Sequence, residues 1–409
     1  MKNIIFIDFC GQNPLGSTNH PHYRSFISPE YAPEGYNFSS KQQENQNFYK
    51  IAQQFIDELY EIGLTSEEIE KFWNTRKPGM RFIPEDAKLC FMPTIAEFIT
   101  DRPWFINIED WTTLFTPGLN CPTHNLDIEN QYWFKAMRYM FNKPNCKAIT
   151  THMQSTIKGL NYLFRGYPEL QKKIVHMPMA YPNISEKFTR SRKVDKDNIV
   201  FLLTNSYGGC HRNLEMRGGI ESLYAFKKMV ENGYNVNLIV TGQINLDGYP
   251  DLKEFYNTSQ NAYFHNQFMS DEQYFRLMHE EIDVFLIPSM RIHNCSLMSS
   301  MKMGVPAIFS DGWGFSEYVT DEVNGLVAKG QWGLTSYIDE NGLFRDNYTA
   351  CRINQTLIDS IEEKMIKIIN ESELLDFIGK NALEYAKQNF DPYSRRNKFK
   401  NFLDTIYEE

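Results

Sequence analysis

A regular alternation of short apolar runs with longer helical segments governs the sequence from residue 198 to residue 310. The apolar runs predict buried β-strands, and the segments between them predict helices. Strands that alternate with helices of this length form a parallel sheet with right-handed crossovers. The predicted strands are NIVFLLT, NVNLIVTG, NAYFH, IDVFLIPS and PAIFS.

The N-terminal part shows the same organisation. KNIIFIDF, KLCFMP and PWFINIEDW predict strands, KAITTHMQSTIKGLNYLF predicts a strand that runs into a helix, and SEEIEKFWNTR predicts a helix opened by a serine. Residues 181–197 are polar and lack periodicity, so we interpret them as a linker. Because 409 residues are too many for one ordinary core, we predict two α/β sheet domains with a cleft between them.

Composition narrows the class of protein. The net charge is −9 and no long basic run occurs, which argues against a nucleic-acid partner. Seven scattered cysteines without a C-x-x-C predict reduced thiols in a cytosolic protein. The apolar stretch at the N-terminus is too short and becomes acidic too soon for a signal peptide. The sequence contains no run of about 18 apolar residues, so we predict no membrane-spanning helix. We expect a cytoplasmic protein, with peripheral contact at the inner face of a membrane left open.

Two consecutive strand-to-helix turns have the form of an anion site. In LIPSMRIHNCSLMSS a strand ends in a polar turn, and the next helix is predicted to be capped by Asn294 or Ser296. FSDGWGFSEYV repeats this form one strand later, where Gly312 and Gly314 allow close backbone approach. Backbone N–H groups and the helix dipole favour negative charge there, so two adjacent turns suit a diphosphate. The alternative is that they are ordinary capped helices of a doubly wound sheet.

An earlier turn, LLTNSYGGCHRNLEMRGGIESL, adds two glycine pairs and two arginines. Gly209 belongs to the first pair, and Arg212 and Arg217 are the arginines. A guanidinium at a glycine-rich turn clamps phosphate oxygens. The alternative is a solvated basic loop.

With these landmarks in place, the chain resembles the family-4 group of retaining glycosyltransferases, which includes glycogen synthases. MRGGIESLYAFKKM resembles the family's Lys-Gly turn, with Arg217 in place of the lysine. SSMKMGVPAIFSDGWGFSEYVTDEVNGLVA is similar to the family's central motif, and FDPYSRRNKFKNFLDTIYEE is similar to its closing helix. The resemblance covers residues 198–409 well, and the N-terminal half agrees in layout only.

The resemblance implies the α/β fold called GT-B, in which two Rossmann-like parallel-sheet domains face a cleft. The N-terminal acceptor-side domain would span residues 1–185, and the C-terminal nucleotide-sugar-binding domain would span residues 186–390. Residues 391–409 would form a C-terminal helix that crosses back to pack on the N-terminal domain. The implied donor-binding residues are Gly209, Arg212, Arg217, His265, Arg291, Asn294, Cys295, Ser296, Leu297, Ser299, Gly312, Gly314 and Glu317.

The sequence departs from the family at its two signature glutamates, whose positions fall on Arg291 and Ser299. We expect Ser299 to bind a ribose hydroxyl. For Arg291 we expect either weaker donor affinity or a donor sugar whose carboxylate pairs with the guanidinium, because a charged hydrogen bond is worth about 1.5–3 kcal/mol. Glu317 matches a later family glutamate, or it is a helix N-terminal acid that stabilises the dipole.

The N-terminal domain is expected to supply the acceptor side. Asp110, at the end of FINIEDW, is the preferred acceptor contact, whereas its neighbour Glu109 is interpreted as a surface or capping acid. His152 follows a strand and is a candidate contact to the donor sugar, and the alternative is a core or capping histidine. With Arg217 these two residues form the candidate catalytic set. The first loop contributes Gly11, Gly16, His20 and His22, for which a surface loop is the alternative interpretation.

We therefore interpret the chain as an enzyme that moves a sugar from a nucleotide-sugar donor to a glycan, lipid-linked or other acceptor with retention. No cofactor or metal is expected, because the only Asp-x-Asp triplet, residues 195–197, lies in the predicted linker. P-loop and G-x-S-x-G motifs do not occur. The alternative is a non-catalytic relative that binds a nucleotide or glycan, since both signature acids are replaced. The sequence leaves the oligomeric state open.

Overall fold

The computed structural model describes residues 3–7, 21–41, 47–76, 83–93, 99–109, 111, 129–190, 195, 197–205, 213–332, 337–338, 344–345 and 353–408. Two compact units are present. The first takes its residues from Met1–Pro182, Ser336–Asp346 and Asp391–Glu409, and the second from Asn183–Thr335 and Asn347–Phe390. The sequence analysis placed these boundaries after residues 185 and 390.

The described helices and strands follow one another in a repeated β/α pattern. The strands are β1 (Asn3–Ile7), β2 (Tyr36–Ser39), β3 (Ala87–Pro93), β4 (Trp104–Ile108), β5 (Cys146–Thr151), β6 (Ile174–His176), β7 (Ile199–Thr204), β8 (Val236–Thr241), β9 (Ala262–His265), β10 (Val284–Ile287), β11 (Ala307–Ser310), β12 (Leu326–Ala328), β13 (Tyr337–Ile338) and β14 (Phe344–Arg345). The helices are α1 (Pro21–Ile27), α2 (Phe48–Glu61), α3 (Ser66–Arg76), α4 (Tyr132–Asn142), α5 (Gln154–Leu163), α6 (Pro168–Gln171), α7 (Asn213–Met216), α8 (Gly219–Glu231), α9 (Pro250–Thr258), α10 (Asp271–Glu280), α11 (Asn294–Met303), α12 (Gln355–Asn370), α13 (Glu373–Asn389) and α14 (Pro392–Glu408).

The first unit is built on a six-stranded parallel sheet in the order β2-β1-β3-β4-β5-β6. Its central strands are largely buried and mostly apolar because helices cover both faces of a parallel sheet. The last helix of the chain, α14, packs into this core through Phe399, Leu403 and Ile406. The Phe399 ring lies 5.0 Å from that of Phe26 and 6.1 Å from that of Phe105. This is the packing that the resemblance implied for the C-terminal helix.

The second unit has its own six-stranded parallel sheet, in the order β12-β11-β10-β7-β8-β9. The five strands predicted between residues 198 and 310 are confirmed as β7 to β11. Chain order reverses between β7 and β10, which lie side by side. In open parallel sheets, ligands bind outside the carboxyl ends of the strands at such a switch point. The fold therefore directs attention to the turns that follow β7, β10 and β11.

The predicted linker is wrong over residues 183–190, which pack into the second unit. The Phe188 ring lies 5.9 Å from that of Phe275. The Arg190 guanidinium forms a buried ion pair with Asp283, with 3.2 Å between Nη2 and Oδ1, and its backbone N–H donates to the Met303 carbonyl. Sequence composition could not reveal this packing, because the partners of these polar residues lie about a hundred positions further along the chain.

The loop predicted after β1 contains the short helix α1, which the sequence analysis missed. Its residue His22 is 2% exposed and packs edge-on against the rings of Tyr23 and Phe26, at 5.2 and 5.1 Å. The prediction that His22 lies in a loop is therefore wrong. A seven-residue helix spans too few turns for apolar periodicity to show. Gly11, Gly16 and His20 lie outside the described residues.

Within the part of the chain that the structure describes, no helix combines the length and the apolar character needed to cross a membrane.

Candidate functional site

Three turns meet at the carboxyl ends of β7, β10 and β11. The backbone N–H of Met290, after β10, donates to the Met216 carbonyl at 3.0 Å. The N–H of Trp313, after β11, donates to the Met290 carbonyl at 2.9 Å, and the Ile292 N–H donates to the Trp313 carbonyl at 2.8 Å. Backbone hydrogen bonds thus join residues 216, 290–292 and 313 into one surface beside the switch point.

Two glycines allow these turns to approach so closely. Gly218 has a φ of +66°, and a Cβ there would lie 2.2 Å from the Pro288 carbonyl oxygen. A Cβ on Gly312 would lie 2.4 Å from the Ser289 carbonyl oxygen. Only a residue without a side chain fits at either contact. Gly312, which the sequence analysis assigned to donor binding, therefore also serves to pack one turn on another, as does Gly218.

Arg217 places a cation on this surface. It immediately precedes Gly218, and its guanidinium lies close enough to Cys295 for the two groups to interact electrostatically. Burial lowers the pKa of Arg217 to about 10, an effect that the neighbouring Cys295 opposes. The guanidinium is still protonated at pH 7, so a half-buried positive charge faces the start of α11. This is the arrangement that an anion such as a diphosphate would occupy.

Helix α11 begins one residue earlier than predicted. The N-cap is His293, so the prediction that Asn294 or Ser296 caps the helix is wrong. The His293 Nδ1 lies 2.7 Å from the Ser296 hydroxyl, which fixes the ring across the first turn. The Leu297 N–H donates to the His293 carbonyl at 3.0 Å, and its side chain is fully buried. The donor contact expected of Leu297 stays a prediction.

Ser299 faces into the protein. The residue is 1% exposed, and its hydroxyl donates to the Ser296 carbonyl at 3.1 Å and also hydrogen-bonds with Tyr274. Burial raises the pKa of the Tyr274 hydroxyl, so it remains a neutral partner. The Ser299 hydroxyl is thus engaged inside the helix layer, and the ribose contact expected of it stays a prediction.

The other predicted donor residues lie along the same edge of the sheet. Arg291 is exposed and pairs by a β-bridge with Trp313. His265 ends β9, two strands from β7, and its carbonyl accepts from the Gly242 N–H at 3.1 Å. Glu317 is the last residue of a short 3₁₀ turn that begins after Gly314. The pKa of Tyr385 is raised mainly by burial and to a smaller extent by the nearby charge of Glu317. The roles of these residues stay predictions.

Three of the predicted site residues, Gly209, Arg212 and Asp110, lie outside the described residues. In the first unit, His152 follows β5 and is 1% exposed. Its ring lies 4.9 Å from that of His22, and its carbonyl is 3.2 Å from His176 Nε2. The structure thus brings together two histidines that the sequence analysis treated separately.

The sequence analysis missed two acidic residues that hold backbone segments near this edge of the sheet. Asp311 directly follows β11 and accepts hydrogen bonds from three consecutive backbone N–H groups, those of residues 330–332. Glu221, in the first turn of α8, is 7% exposed and accepts from the Asn354 N–H at 3.2 Å. The sequence position of Asp311, directly after a predicted strand, could have revealed it, since polar residues at strand ends often belong to a functional site. Nothing in the sequence distinguished Glu221, because acidic residues are common in the first turn of a helix.

In the part of the chain described, no three His, Cys, Asp or Glu side chains are grouped so that they could hold a metal ion.

Comparison with known proteins places this geometry in a class. Over 99% of its length the chain is similar to the whole of Alr3699/HepE from Anabaena, solved with UDP and glucose, with a TM-score of 0.56 at 11% identity. It is also similar to WaaG, a glycosyltransferase involved in lipopolysaccharide biosynthesis, with a TM-score of 0.55 at 15% identity and 98% and 99% of the two chains covered. Two parallel six-stranded sheets with flanking helices therefore form the GT-B glycosyltransferase fold in this protein.

Sequence comparison points the same way. Residues 210–333, which hold the turns after β10 and β11 and most of the turn after β7, match the family model of group 1 glycosyl transferases. Among curated proteins the chain is similar to CapM of Staphylococcus aureus, a capsular polysaccharide biosynthesis glycosyltransferase. The two are 24% identical over 229 residues, which are 55% of this chain and 53% of CapM. The chain thus matches about half the length of this curated relative.

Proposed function

We propose that this protein transfers a sugar, as a hexosyl or related glycosyl group, from a nucleotide-sugar donor to a glycan or lipid-linked acceptor. The observation that carries the proposal is the convergence of three strand-end turns around the Arg217 guanidinium. The similarity to proteins solved with UDP and UDP-glucose makes a UDP-sugar the first donor to test. The name of CapM suggests polysaccharide biosynthesis as the setting.

In the proposed reaction the bond between the anomeric carbon and the diphosphate oxygen breaks, and a bond forms between that carbon and the acceptor oxygen. The acceptor proton passes to the leaving diphosphate on the same face, which gives retention without a protein nucleophile. The Arg217 guanidinium and the backbone N–H groups at the start of α11 would stabilise the departing diphosphate, which is electrostatic preorganisation. We propose no metal or other cofactor for this step.

The role of Asp110 as an acceptor contact and the role of His152 as a contact to the donor sugar remain part of the proposal. So does a cytoplasmic location with peripheral contact at the inner face of a membrane, which a lipid-linked acceptor would require.

Thermal unfolding with added nucleotides tests the donor site. UDP at a hundredfold over its dissociation constant is expected to stabilise the second unit by about 2.7 kcal/mol, or several degrees in Tm. Arg217→Ala is expected to abolish this shift, and Arg217→Lys, which keeps the charge but loses the planar fork, is expected to retain part of it. The measurement is a thermal scan with UDP, GDP, ADP, dTDP and CMP and their common sugar conjugates.

The matched control is Arg276→Ala, which removes an exposed arginine on α10 of the same unit. Its nucleotide response is expected to equal that of the wild type. Absence of a shift with every nucleotide in the wild type, or an undiminished shift in Arg217→Ala, would contradict the proposed donor site.

A second function, binding without turnover, is favoured by one observation. Arg291 and Ser299 stand where the resemblance implies two glutamates, and Ser299 is buried. Release of free nucleotide from a donor in the presence of acceptors separates the two functions. A protein that shows the thermal shift and never releases nucleotide would be a binding protein.

A further inference from the structure

Trp332 is an exposed tryptophan at the end of a tightly held segment. It is 74% exposed, the highest value among the large hydrophobic side chains that the structure describes. Single exposed apolar residues are common on proteins and need no explanation by themselves. What distinguishes Trp332 is how its backbone is held.

Asp311 fixes the backbone beneath the indole. Its carboxylate accepts from the N–H groups of Gly330, Gln331 and Trp332, with Oδ1 at 3.1, 2.7 and 3.0 Å. Hydrogen bonds to an ionised carboxylate are among the stronger ones in proteins. Three in succession leave this stretch of backbone little freedom.

Two side-chain amides hold the same segment from other directions. Gln331 is 1% exposed, and its Nε2 donates to the Pro288 carbonyl at 3.1 Å. The Asn354 Nδ2 donates to the Gly330 carbonyl at 2.6 Å, and Asn354 also caps α12. Burying a polar amide gains little by itself, so these contacts serve to set the position of the segment.

The result is a rigid backbone that presents an indole to solvent. The indole contributes little burial to the fold, although a buried tryptophan is one of the largest sources of core stability. Aromatic side chains on a preorganised backbone make good ligand contacts, because little conformational entropy is lost on binding. This arrangement favours a binding role for Trp332.

The position of the segment indicates what it would bind. Gln331 contacts Pro288, which follows β10, and Asp311 follows β11, so Trp332 is mounted on the same turns that surround Arg217. An aromatic face with negative potential complements the polarised C–H groups on one face of a pyranose ring.

We propose that Trp332 is a stacking platform for a hexopyranose ring, an inference that rests on the proposed function of this site. The ring belongs either to the donor, attached to the diphosphate, or to the acceptor. In both cases the indole determines which sugar is held and at what angle. It therefore acts on sugar selection, whereas Arg217 acts on the diphosphate.

Calorimetric titration of UDP and UDP-glucose into wild type, Trp332→Ala and Trp332→Phe tests the proposal. The Kd of UDP is expected to be the same in all three, which shows that the donor turns are intact. If the donor ring stacks on the indole, Trp332→Ala weakens UDP-glucose binding about 3- to 10-fold and Trp332→Phe restores much of the loss. If the acceptor ring stacks there, both Kd values are unchanged, and Trp332→Ala instead loses the saturation-transfer NMR signals that methyl glucoside, galactoside and mannoside give with the wild type.

Phe377→Ala is the matched control, since Phe377 is an exposed aromatic residue on α13 of the same unit. Its titrations and spectra are expected to equal those of the wild type. Unchanged UDP-glucose affinity together with unchanged hexoside signals in Trp332→Ala would overturn the inference. Failure of the wild type to bind any nucleotide would instead count against the proposed function, while the hexoside spectra would still test Trp332.

Discussion

Replacing Asp283 with alanine is expected to lower the unfolding free energy of the second unit by about 3–5 kcal/mol. The Asp283 carboxylate is fully buried and pairs with Arg190, whose side chain is 5% exposed. Its second oxygen accepts from the Val200 N–H at 3.0 Å. The substitution leaves a buried guanidinium without its counter-charge and the Val200 amide of β7 without its acceptor. Urea unfolding, with the midpoint and slope both fitted, measures the loss.

Two controls separate the buried charge from a general effect of mutation. Glu272→Ala removes the acid of an exposed pair with Lys187, 3.3 Å apart in the same unit, and is expected to change stability by less than about 1 kcal/mol. The double variant Arg190→Met/Asp283→Leu replaces both charges with apolar groups. It is expected to be much more stable than Asp283→Ala, because no charge is left buried alone. Equal destabilisation by the single and double variants would contradict this account.

Replacing Glu221 with glutamine is expected to stabilise the protein above pH 4.5, by an amount that grows until about pH 7. Burial raises the pKa of the Glu221 carboxyl from 4.5 to about 7, more than the Asn354 N–H lowers it, and the nearby charge of Glu215 adds to the rise. At a pH between 4.5 and 7, the Glu221 carboxyl is ionised in the unfolded chain and still protonated in the folded protein. Wild-type stability relative to Glu221→Gln therefore falls as pH rises from 4.5 to 7.

Above pH 7 the difference is constant at about 3 kcal/mol in favour of Glu221→Gln, and below pH 4.5 it vanishes. Unfolding of both proteins at pH 4.5, 6 and 8 measures this dependence. Glu231→Gln, at the exposed end of the same helix, removes the partner of Lys227 and serves as the control. Its effect is expected to stay within about 0.5 kcal/mol at every pH. A Glu221→Gln difference that does not grow between pH 4.5 and pH 8 would contradict the prediction.

Much of the donor side was visible in the sequence because its signals are local. A strand that ends in Pro-Ser, a glycine-bearing turn and a helix start together predicted the turn after β10. The close approach predicted at Gly312 is confirmed by its contact with the Ser289 carbonyl. The residues at the helix start were less well predicted. Local sequence pattern does not fix how helix α11 is rotated about its axis. That rotation decides which residue caps the helix, His293 or Asn294, and whether Ser299 faces a ligand or Tyr274.

The sequence by itself determined the two parallel sheets of this protein, because strands buried on both faces must be continuously apolar and the helices between them must not be. It also indicated which strand ends carry the glycine-bearing turns that meet beside the switch point. Only the tertiary structure decided that Arg190 pairs with Asp283, that Glu221 is buried beside Asn354, and that Asp311 holds Trp332 in place. Each of those contacts joins residues 21 to 133 positions apart. Their energies depend on burial and distance, which arise only when the chain is folded.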